Sequence, residues 1–256
     1  MKKLNTSWEN VNKWYSRNVD LEGNYYHKHI VIPNTLRLLD LKEGDSLLDL
    51  GCGQGVLERA IDKKVEYLGA DASKSLIEFA KKNKVSEKHT FEIKDITKPL
   101  NLINNAVHAQ FSYASIILVL QNVFDYNSVF ENAKNYLKPS GKLLTVLNHP
   151  YFRTPKYSGW EINKENTIQY RRVDSYMTPK KTNIETSPSK GANSETTLSF
   201  HFPLQDYSKS LQKNGFTIMR IEEWVSNKVS DGKHAEMENI ARREFPLFMA
   251  LMCKKV

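Results

Sequence analysis

The middle of the chain alternates between short apolar runs and longer amphipathic segments. Each apolar run has the length of a strand, and the segments between them repeat their apolar positions with the period of a helix. Strands that alternate with helices in this way form a mostly parallel sheet. We expect strands at residues 46–50, 65–71, 90–96, 113–120 and 142–148, and helices at 74–83 and 128–137.

The flanking segments differ from this core, which we place at residues 45–150. Residues 1–44 form an N-terminal arm with a predicted helix at 34–41. Residues 151–195 break the alternation: they are rich in polar residues, carry interspersed aromatic and basic side chains, and include a loop-like stretch at 186–195. We expect this insertion to be a lid. Residues 196–256 then complete the sheet, and their last two strands pair antiparallel at its edge.

The most specific pattern is the turn after the first strand, where Asp49 precedes Gly51, Gly53 and Gly55. Glycine adopts backbone angles closed to other residues, and its missing side chain lets a ligand lie against the main chain. The turn is expected to open into a helix. Its third glycine comes one residue too early for the dinucleotide fingerprint G-x-G-x-x-G. The spacing predicts a different ligand from NAD, with an ordinary glycine-rich turn as the alternative.

Acidic residues follow the next two predicted strands. Asp71 comes about 20 residues after the turn, the spacing of a carboxylate that accepts hydrogen bonds from ribose hydroxyls. A helix-capping or surface acid is the alternative. Asp95 lies at the end of the third strand. Asp-x-Gly-x-Gly-x-Gly followed by these two acids resembles the class I S-adenosylmethionine-dependent methyltransferases, and within them the type 11 group allied to ubiquinone and menaquinone biosynthesis.

This resemblance implies a fold, a cofactor and a site. The fold is α/β, a Rossmann-like doubly wound sheet of seven mostly parallel strands with an antiparallel edge hairpin and an inserted lid. The cofactor is S-adenosyl-L-methionine, with Asp95 beside its adenine and the N-terminal arm at residues 1–44 covering it. The resemblance assigns cofactor binding to Asp49, Gly51, Cys52, Gly53, Gly55, Asp71, Ala72, Asp95, Ile96 and Leu118.

Composition narrows the class of protein. Hydrophobic residues make up 40% and charged residues 26% of the chain, which predicts a soluble globular protein without a membrane span. The two cysteines, Cys52 and Cys253, form neither a disulfide framework nor a metal site, and no secretory signal is recognisable, so we expect a cytoplasmic location. The net charge of +8 comes from scattered lysines rather than a basic tract, which argues against a nucleic-acid partner. Nothing indicates the oligomeric state.

The acceptor side is expected after the fourth and fifth strands. Methyl transfer requires alignment of the acceptor, and a general base only where the acceptor loses a proton. His149 is the candidate base, with a structural histidine before Pro150 as an equal alternative. Arg153 would pair with an acceptor carboxylate or phosphate, although a salt bridge from lid to body explains it equally well. The candidate acceptor contacts are Tyr15, Tyr26, His29, Asn122, Arg153 and His201, and no metal ligands are expected.

Two short segments separate this chain from relatives within the resemblance. After the fourth strand it reads Leu-Gln-Asn-Val at 120–123, unlike the Asn/Asp-Pro-Pro-aromatic tetrad of amino-methyltransferases that act on DNA. Before that strand, Phe111-Ser112 replaces the common Phe-Asp pair. Three functions stay open: a methyltransferase acting on a small molecule, which we favour, one acting on nucleic acid or protein, and a non-catalytic protein that binds S-adenosylmethionine.

Overall fold

The computed structural model describes residues 21–102, 110–185 and 196–256 of the chain. Its eleven strands in these ranges are β1 (Ser46–Leu50), β2 (Glu66–Asp71), β3 (His89–Ile93), β4 (Phe111–Ile117), β5 (Leu137–Asn148), β6 (Ser158–Asn163), β7 (Ile168–Val173), β8 (Lys180–Glu185), β9 (Thr196–His201), β10 (Phe216–Trp224) and β11 (Phe248–Lys255). The helices are α1 (Ile32–Leu39), α2 (Lys74–Lys82), α3 (Tyr126–Tyr136), α4 (Leu204–Lys213) and α5 (Ala235–Glu244).

Seven strands form the central sheet in the order β10-β11-β5-β4-β1-β2-β3. The five strands from β3 to β5 are parallel, and β11 runs antiparallel to both β5 and β10. The central strand β1 is buried along its whole length, as expected of a parallel strand covered on both faces. The structure confirms the predicted mostly parallel α/β sheet with an antiparallel edge.

Helices cover both faces of this sheet. On one face α1 and α2 contribute Leu39 and Ile77 to an apolar layer, and on the other α3 and α4 contribute Phe130 and Leu211. A five-residue π-helix, His27–Val31, runs directly into α1. Within the described residues, none of the helices is long and apolar enough to cross a membrane.

The helix expected directly after the glycine turn is wrong. Residues 53–57 form turns, followed only by a short 3-10 helix at Glu58–Ala60. Gly53 and Gly55 have positive φ angles of 54° and 81°, which are incompatible with a right-handed helix. The Gln54 carbonyl accepts a hydrogen bond from Arg59 Nη1 at 2.7 Å, so a side chain satisfies a group that helical backbone would otherwise use.

Two strand bounds also differ from expectation. The strand expected at 142–148 begins at Leu137, and residues 138–141 lie within the bounds of β5 as a bulge, because Phe111 pairs with Leu137 while Tyr113 pairs with Lys142. At the other end, β4 stops at Ile117 because Leu118 takes a left-handed φ of 58°. That backbone angle turns the chain out of the sheet three residues earlier than the apolar pattern predicts.

The described part of residues 151–195 contains strands that the sequence pattern does not predict. β6 and β7 form one antiparallel hairpin, and β8 pairs antiparallel with β9. Exposed and half-buried residues alternate in β6 and β7, so no apolar run marks these strands. The loop predicted at 186–195 lies outside the described residues. α5, between β10 and β11, is likewise an addition to the predicted elements.

Candidate functional site

The candidate site lies at the carboxyl ends of the parallel strands. The strand order reverses between β1 and β4, and crevices at such points bind ligands in open α/β sheets. The glycine turn follows β1 there, and Leu118 follows β4. A Cβ on Gly51 would lie 2.5 Å from the Val119 side chain, so only glycine allows these two segments to pack so closely.

Asp71 joins the glycine turn to the end of β2. Its Oδ2 accepts a hydrogen bond from Gly53 N at 3.0 Å, and its Oδ1 accepts one from Ser73 N at 2.8 Å. The residue is half-buried. This carboxylate therefore supports the start of α2 and also contacts the glycine turn.

Asp49 lies beneath the turn and is only 3% exposed. Ser115 Oγ on β4 donates to its Oδ1 at 2.7 Å, and the Tyr67 hydroxyl on β2 donates to its Oδ2 at 2.8 Å. Burial raises the pKa of Asp49 to about 6, although both hydrogen bonds act in the opposite direction. This carboxylate links the three neighbouring strands that carry the turn.

Sequence inspection did not assign a role to the two partners of Asp49. Ser115 is a polar residue in the otherwise apolar run Ala114–Leu120, and that position was the available signal. Tyr67 carries no comparable signal, since a tyrosine is ordinary in a strand. Its hydroxyl becomes informative only when β2 is placed beside β1.

The other expected cofactor residues occupy varied positions around this edge. Cys52 is buried, and burial raises the pKa of its thiol well above the ordinary value, so the thiol stays protonated and unreactive. Ala72 is exposed and Ile96 is buried. Asp95 is exposed and accepts hydrogen bonds from Thr97 N and Oγ1 at 3.0 and 2.6 Å. Leu118 is half-buried, and its strained backbone positions the segment opposite Gly51.

A second feature is a pocket beside the ends of β4 and β5, with a volume of about 310 Å³ that includes open solvent. Segments distant in the sequence form its wall: the end of β5, the residues after it, the end of β9 and α4. The expected residues His149, Arg153 and His201 all line it, and Gln121 from the turn after β4 joins them. The pocket therefore brings together most of the predicted acceptor side.

His149 has a partner at each ring nitrogen. Nε2 lies 2.6 Å from Glu223 Oε1, and Nδ1 accepts from Tyr151 N and Phe152 N at 3.3 and 3.4 Å. This pattern assigns the ring proton to Nε2. Burial lowers the pKa of His149, while Glu223 acts to raise it. The role of Glu223 was not predicted, because it lies on β10, 74 residues away in sequence.

His201 and Arg153 differ in their partners. His201 Nε2 donates to the Tyr176 carbonyl at 2.6 Å, and its Nδ1 lies 3.2 Å from Thr154 Oγ1, so this ring connects β9 to the insertion. No described carboxylate lies within 4.0 Å of the Arg153 guanidinium. Its side chain is solvent-accessible but crowded by neighbouring atoms, which lowers its pKa.

The other expected acceptor contacts lie outside this pocket wall. Tyr26 packs on Phe248 with ring centroids 5.9 Å apart and interacts electrostatically with Arg153. His29 is exposed and stacks on a neighbouring tyrosine. Asn122 Nδ2 is 3.4 Å from the Leu118 carbonyl. Tyr15 lies outside the described residues, and no group of metal-ligating side chains occurs among the described ones.

Comparison with known proteins adds the family. A family model described as a methyltransferase domain matches residues 24–221, more than half of the chain. The chain is 32% identical to phosphoethanolamine N-methyltransferase 3 of Arabidopsis thaliana over 123 residues, which are 46% of this chain and 24% of that protein. It is 28% identical to the ubiquinone biosynthesis O-methyltransferase of Coxiella burnetii over 134 residues, 51% of this chain and 56% of that protein.

The fold comparison agrees. An S-adenosylmethionine dependent methyltransferase from Mesorhizobium loti superposes with a TM-score of 0.66 at 21% identity, covering 92% of this chain and all of that one. At this identity the likeness concerns the fold alone. The curated relatives are matched over a quarter to just over half of their own length.

Proposed function

The chain belongs to the methyltransferase-domain family, and from that membership we propose that it transfers a methyl group from S-adenosylmethionine to a small molecule. The observation that carries the proposal is the edge formed by the glycine turn, Asp49 and Asp71, whose chemistry suits this cofactor. The turn offers backbone close to a ligand, and Asp71 offers a half-buried carboxylate to the ribose. When bound, the cofactor supplies an activated methyl group on a positively charged sulfur.

We assign the cofactor residues distinct tasks. Gly51 and Gly53 let the ligand approach the main chain, and Asp71 accepts from the ribose hydroxyls. Asp95 and the adjoining Ile96 are assigned to the adenine, one polar and one apolar contact. Asp49 acts indirectly, by fixing the three strands from which the turn extends. Cys52, Gly55, Ala72 and Leu118 shape the same edge.

The acceptor is proposed to enter the pocket beside β4 and β5. The pocket wall combines apolar and aromatic side chains with polar groups, as is usual for small-molecule sites. The names of the two curated relatives describe action on phosphoethanolamine and in ubiquinone biosynthesis, both of which concern small molecules. The proposal includes a cytoplasmic location, consistent with two buried, unpaired cysteines.

His149 is our proposed base, acting at Nδ1. Since Nε2 donates to Glu223, Nδ1 carries the lone pair, and the lowered pKa keeps the ring neutral near pH 7. The two long backbone contacts at Nδ1 must be given up when the acceptor proton arrives. Glu223 would then stabilise the imidazolium. Glu223→Gln should lower kcat and move the acidic limb of the pH–rate profile to lower pH, whereas a structural histidine predicts an unmoved profile.

The transfer reaction is tested with methyl-labelled S-adenosylmethionine. The full chain is incubated with a fractionated metabolite extract, with total RNA and with a protein extract in parallel. We expect label in one small-molecule fraction and its loss in the Asp71→Ala variant. Label in RNA or protein alone would replace the proposed acceptor class. Cofactor binding without label in any fraction would favour a non-catalytic binding protein.

A further inference from the structure

One cation lines the acceptor pocket and two more lie on neighbouring segments, all three without a neutralising carboxylate in the part of the chain that the structure describes. Among the described residues, no Asp or Glu oxygen lies within 4.0 Å of the side-chain nitrogens of Arg153, Arg171 or Lys180. Arg153 lines the pocket directly. Arg171 is held against the same segment, since its Nε donates to the Phe152 carbonyl at 2.7 Å. Lys180 lies 4.8 Å from the centre of the Tyr157 ring.

Neutral groups fix Arg171 in place. Its Nη2 donates to Ser158 Oγ at 3.0 Å, and its guanidinium lies 5.1 Å from the centre of the Trp160 ring. Arg171 is therefore ordered while its charge is uncompensated by any described acid. Burial and, to a smaller extent, the charge of Arg153 lower the pKa of Arg171 to about 10. Burial also lowers the pKa of His201, and the charge of Lys180 acts in the same direction. Arg171 and His201 thus each lie within electrostatic range of a neighbouring cation.

The neighbouring Arg172 differs from Arg171, because two acidic side chains neutralise its charge. Arg172 Nη1 lies 2.5 Å from Glu161 Oε1, and its Nε lies 2.6 Å from Asp174 Oδ1. Arg171 and Arg172 are adjacent on β7 and point to opposite faces of the hairpin. Among the described contacts, the arginine that faces Phe152 has no acidic partner, whereas the arginine on the opposite face has two.

The other residues of the pocket wall indicate what kind of molecule can carry the acidic group. Phe200, Phe202 and Tyr207 line the pocket, and all three are buried. The side chain of Gln121 donates to the Leu118 carbonyl at 2.8 Å, while its buried Oε1 has no hydrogen-bond partner. This combination suits a ligand with an apolar or aromatic body, a donor group for Gln121 and an acidic group for Arg153.

We propose that the methyl acceptor is an organic acid, an apolar or aromatic molecule whose carboxylate or phosphate group binds Arg153 in the field of Arg171 and Lys180. This inference rests on the proposed function, because it describes the acceptor of the same reaction. The oxyanion pairs with Arg153 and offsets the mutual repulsion of the cations. Arg153 acts in acceptor binding and makes no bond to the transferred methyl group.

The inference is tested with three probes of similar size: benzoate, phenyl phosphate and neutral benzamide. Calorimetry measures their binding to the full chain, with and without saturating S-adenosylhomocysteine. We expect at least one acid to bind about tenfold or more tightly than benzamide. Arg153→Gln should remove this preference, Arg153→Lys should retain part of it, and Arg172→Gln should leave it within twofold. Benzoate and phenyl phosphate distinguish a carboxylate from a phosphate acceptor.

Several outcomes would overturn the inference. Equal binding of benzamide and both acids would do so, as would an acid preference that survives Arg153→Gln in a variant with native circular dichroism. Absence of saturable binding of either acid up to its solubility limit would also overturn it. The proposed function is tested separately: it fails if neither S-adenosylmethionine nor S-adenosylhomocysteine binds. The probe titrations without cofactor still measure the acid preference in that case, so the two failures can be told apart.

Discussion

The cofactor edge and the acceptor pocket lie at the same ends of the sheet but are built in different ways. The cofactor edge consists of neighbouring strand ends joined through carboxylates, such as Asp71, whose Oδ2 accepts a hydrogen bond from Gly53 N. The pocket is lined by side chains of several separate segments, and one of them, His149, contacts Glu223, which lies 74 residues away in sequence. The first region carries buried acidic charge at Asp49, and the second carries uncompensated basic charge at Arg153.

This difference separates what the fold supplies from what the individual chain supplies. Strand ends in a parallel sheet always meet at one edge, so a nucleotide-like ligand can be held there with few special side chains. The pocket wall depends on the segment after β5, on β9 and on α4, and the charge near it depends on which arginines have acidic partners. The reaction class should therefore depend mostly on the first region, and the choice of acceptor on the second.

The strongest way to break this comparison is to remove part of the second region and leave the first intact. The Asp174 amide donates to the Tyr157 carbonyl at 2.8 Å, so a short Gly-Ser linker can replace residues 158–173 without moving the ends. We expect cofactor affinity to stay within a few-fold, while kcat/KM for the acceptor falls about a hundredfold or more because alignment is lost. Calorimetry measures the cofactor affinity, and the labelled-methyl assay measures kcat/KM for the acceptor. A normal transfer rate in a folded variant would show that the hairpin does not serve the acceptor.

The buried charge of the first region predicts a pH-dependent stability. The pKa of Asp49 is about 6 in the folded chain against an ordinary 3.8, so the folded state binds this proton more tightly than the unfolded state. The stabilising contribution is complete below pH 3.8 and is lost as pH rises to about 6, by about 3 kcal/mol. Asp49→Asn should remove this loss from the free energy of unfolding measured by urea titration.

The matched control for Asp49 is Asp231→Asn, a surface position that changes the net charge by the same amount. In this variant the free energy of unfolding should change with pH between 4 and 6 as it does in the parent protein. If Asp49→Asn and Asp231→Asn have the same pH dependence as the parent, the carboxylate of Asp49 does not resist ionisation, and the account of its burial is wrong.

A smaller effect, on cofactor affinity, tests the role assigned to Asp71. Asp71→Ala should weaken S-adenosylmethionine binding by roughly 1.5–3 kcal/mol, the range for hydrogen bonds to a charged group. Asp71→Asn, which keeps one acceptor oxygen, should lose less. Glu66→Ala removes an exposed acid from the other end of β2 and should bind like the parent. Unchanged affinity in a folded Asp71→Ala variant would reduce Asp71 to the helix-supporting role seen in its bond to Ser73.

The sequence predicted the first region well because its signals are local. The apolar runs, the glycine spacing and the acids at strand ends lie within short windows, and each agrees with the observed strands to within a few residues. The helix after the glycine turn was wrong because Gly53 and Gly55 adopt positive φ angles, which a sequence pattern permits but does not require. Likewise, nothing in the sequence shows that Leu118 adopts a left-handed conformation.

The second region could be predicted only in part. His149, Arg153 and His201 were identified by residue type and position, and the structure places all three in one pocket. Their surroundings could not be identified, because Glu223 contacts His149, and Arg171 contacts the Phe152 carbonyl, through tertiary packing rather than sequence proximity. The strands β6 and β7 were missed because they have no buried face and hence no strong apolar alternation.

The central claim is that the glycine turn and its acids bind S-adenosylmethionine. Isothermal titration calorimetry of the full chain with S-adenosylmethionine, S-adenosylhomocysteine and NAD tests it most directly. We expect saturable binding of both sulfur compounds at one site and no measurable binding of NAD, because the third glycine is spaced for a different ligand. Binding of NAD with no binding of either sulfur compound would contradict the account.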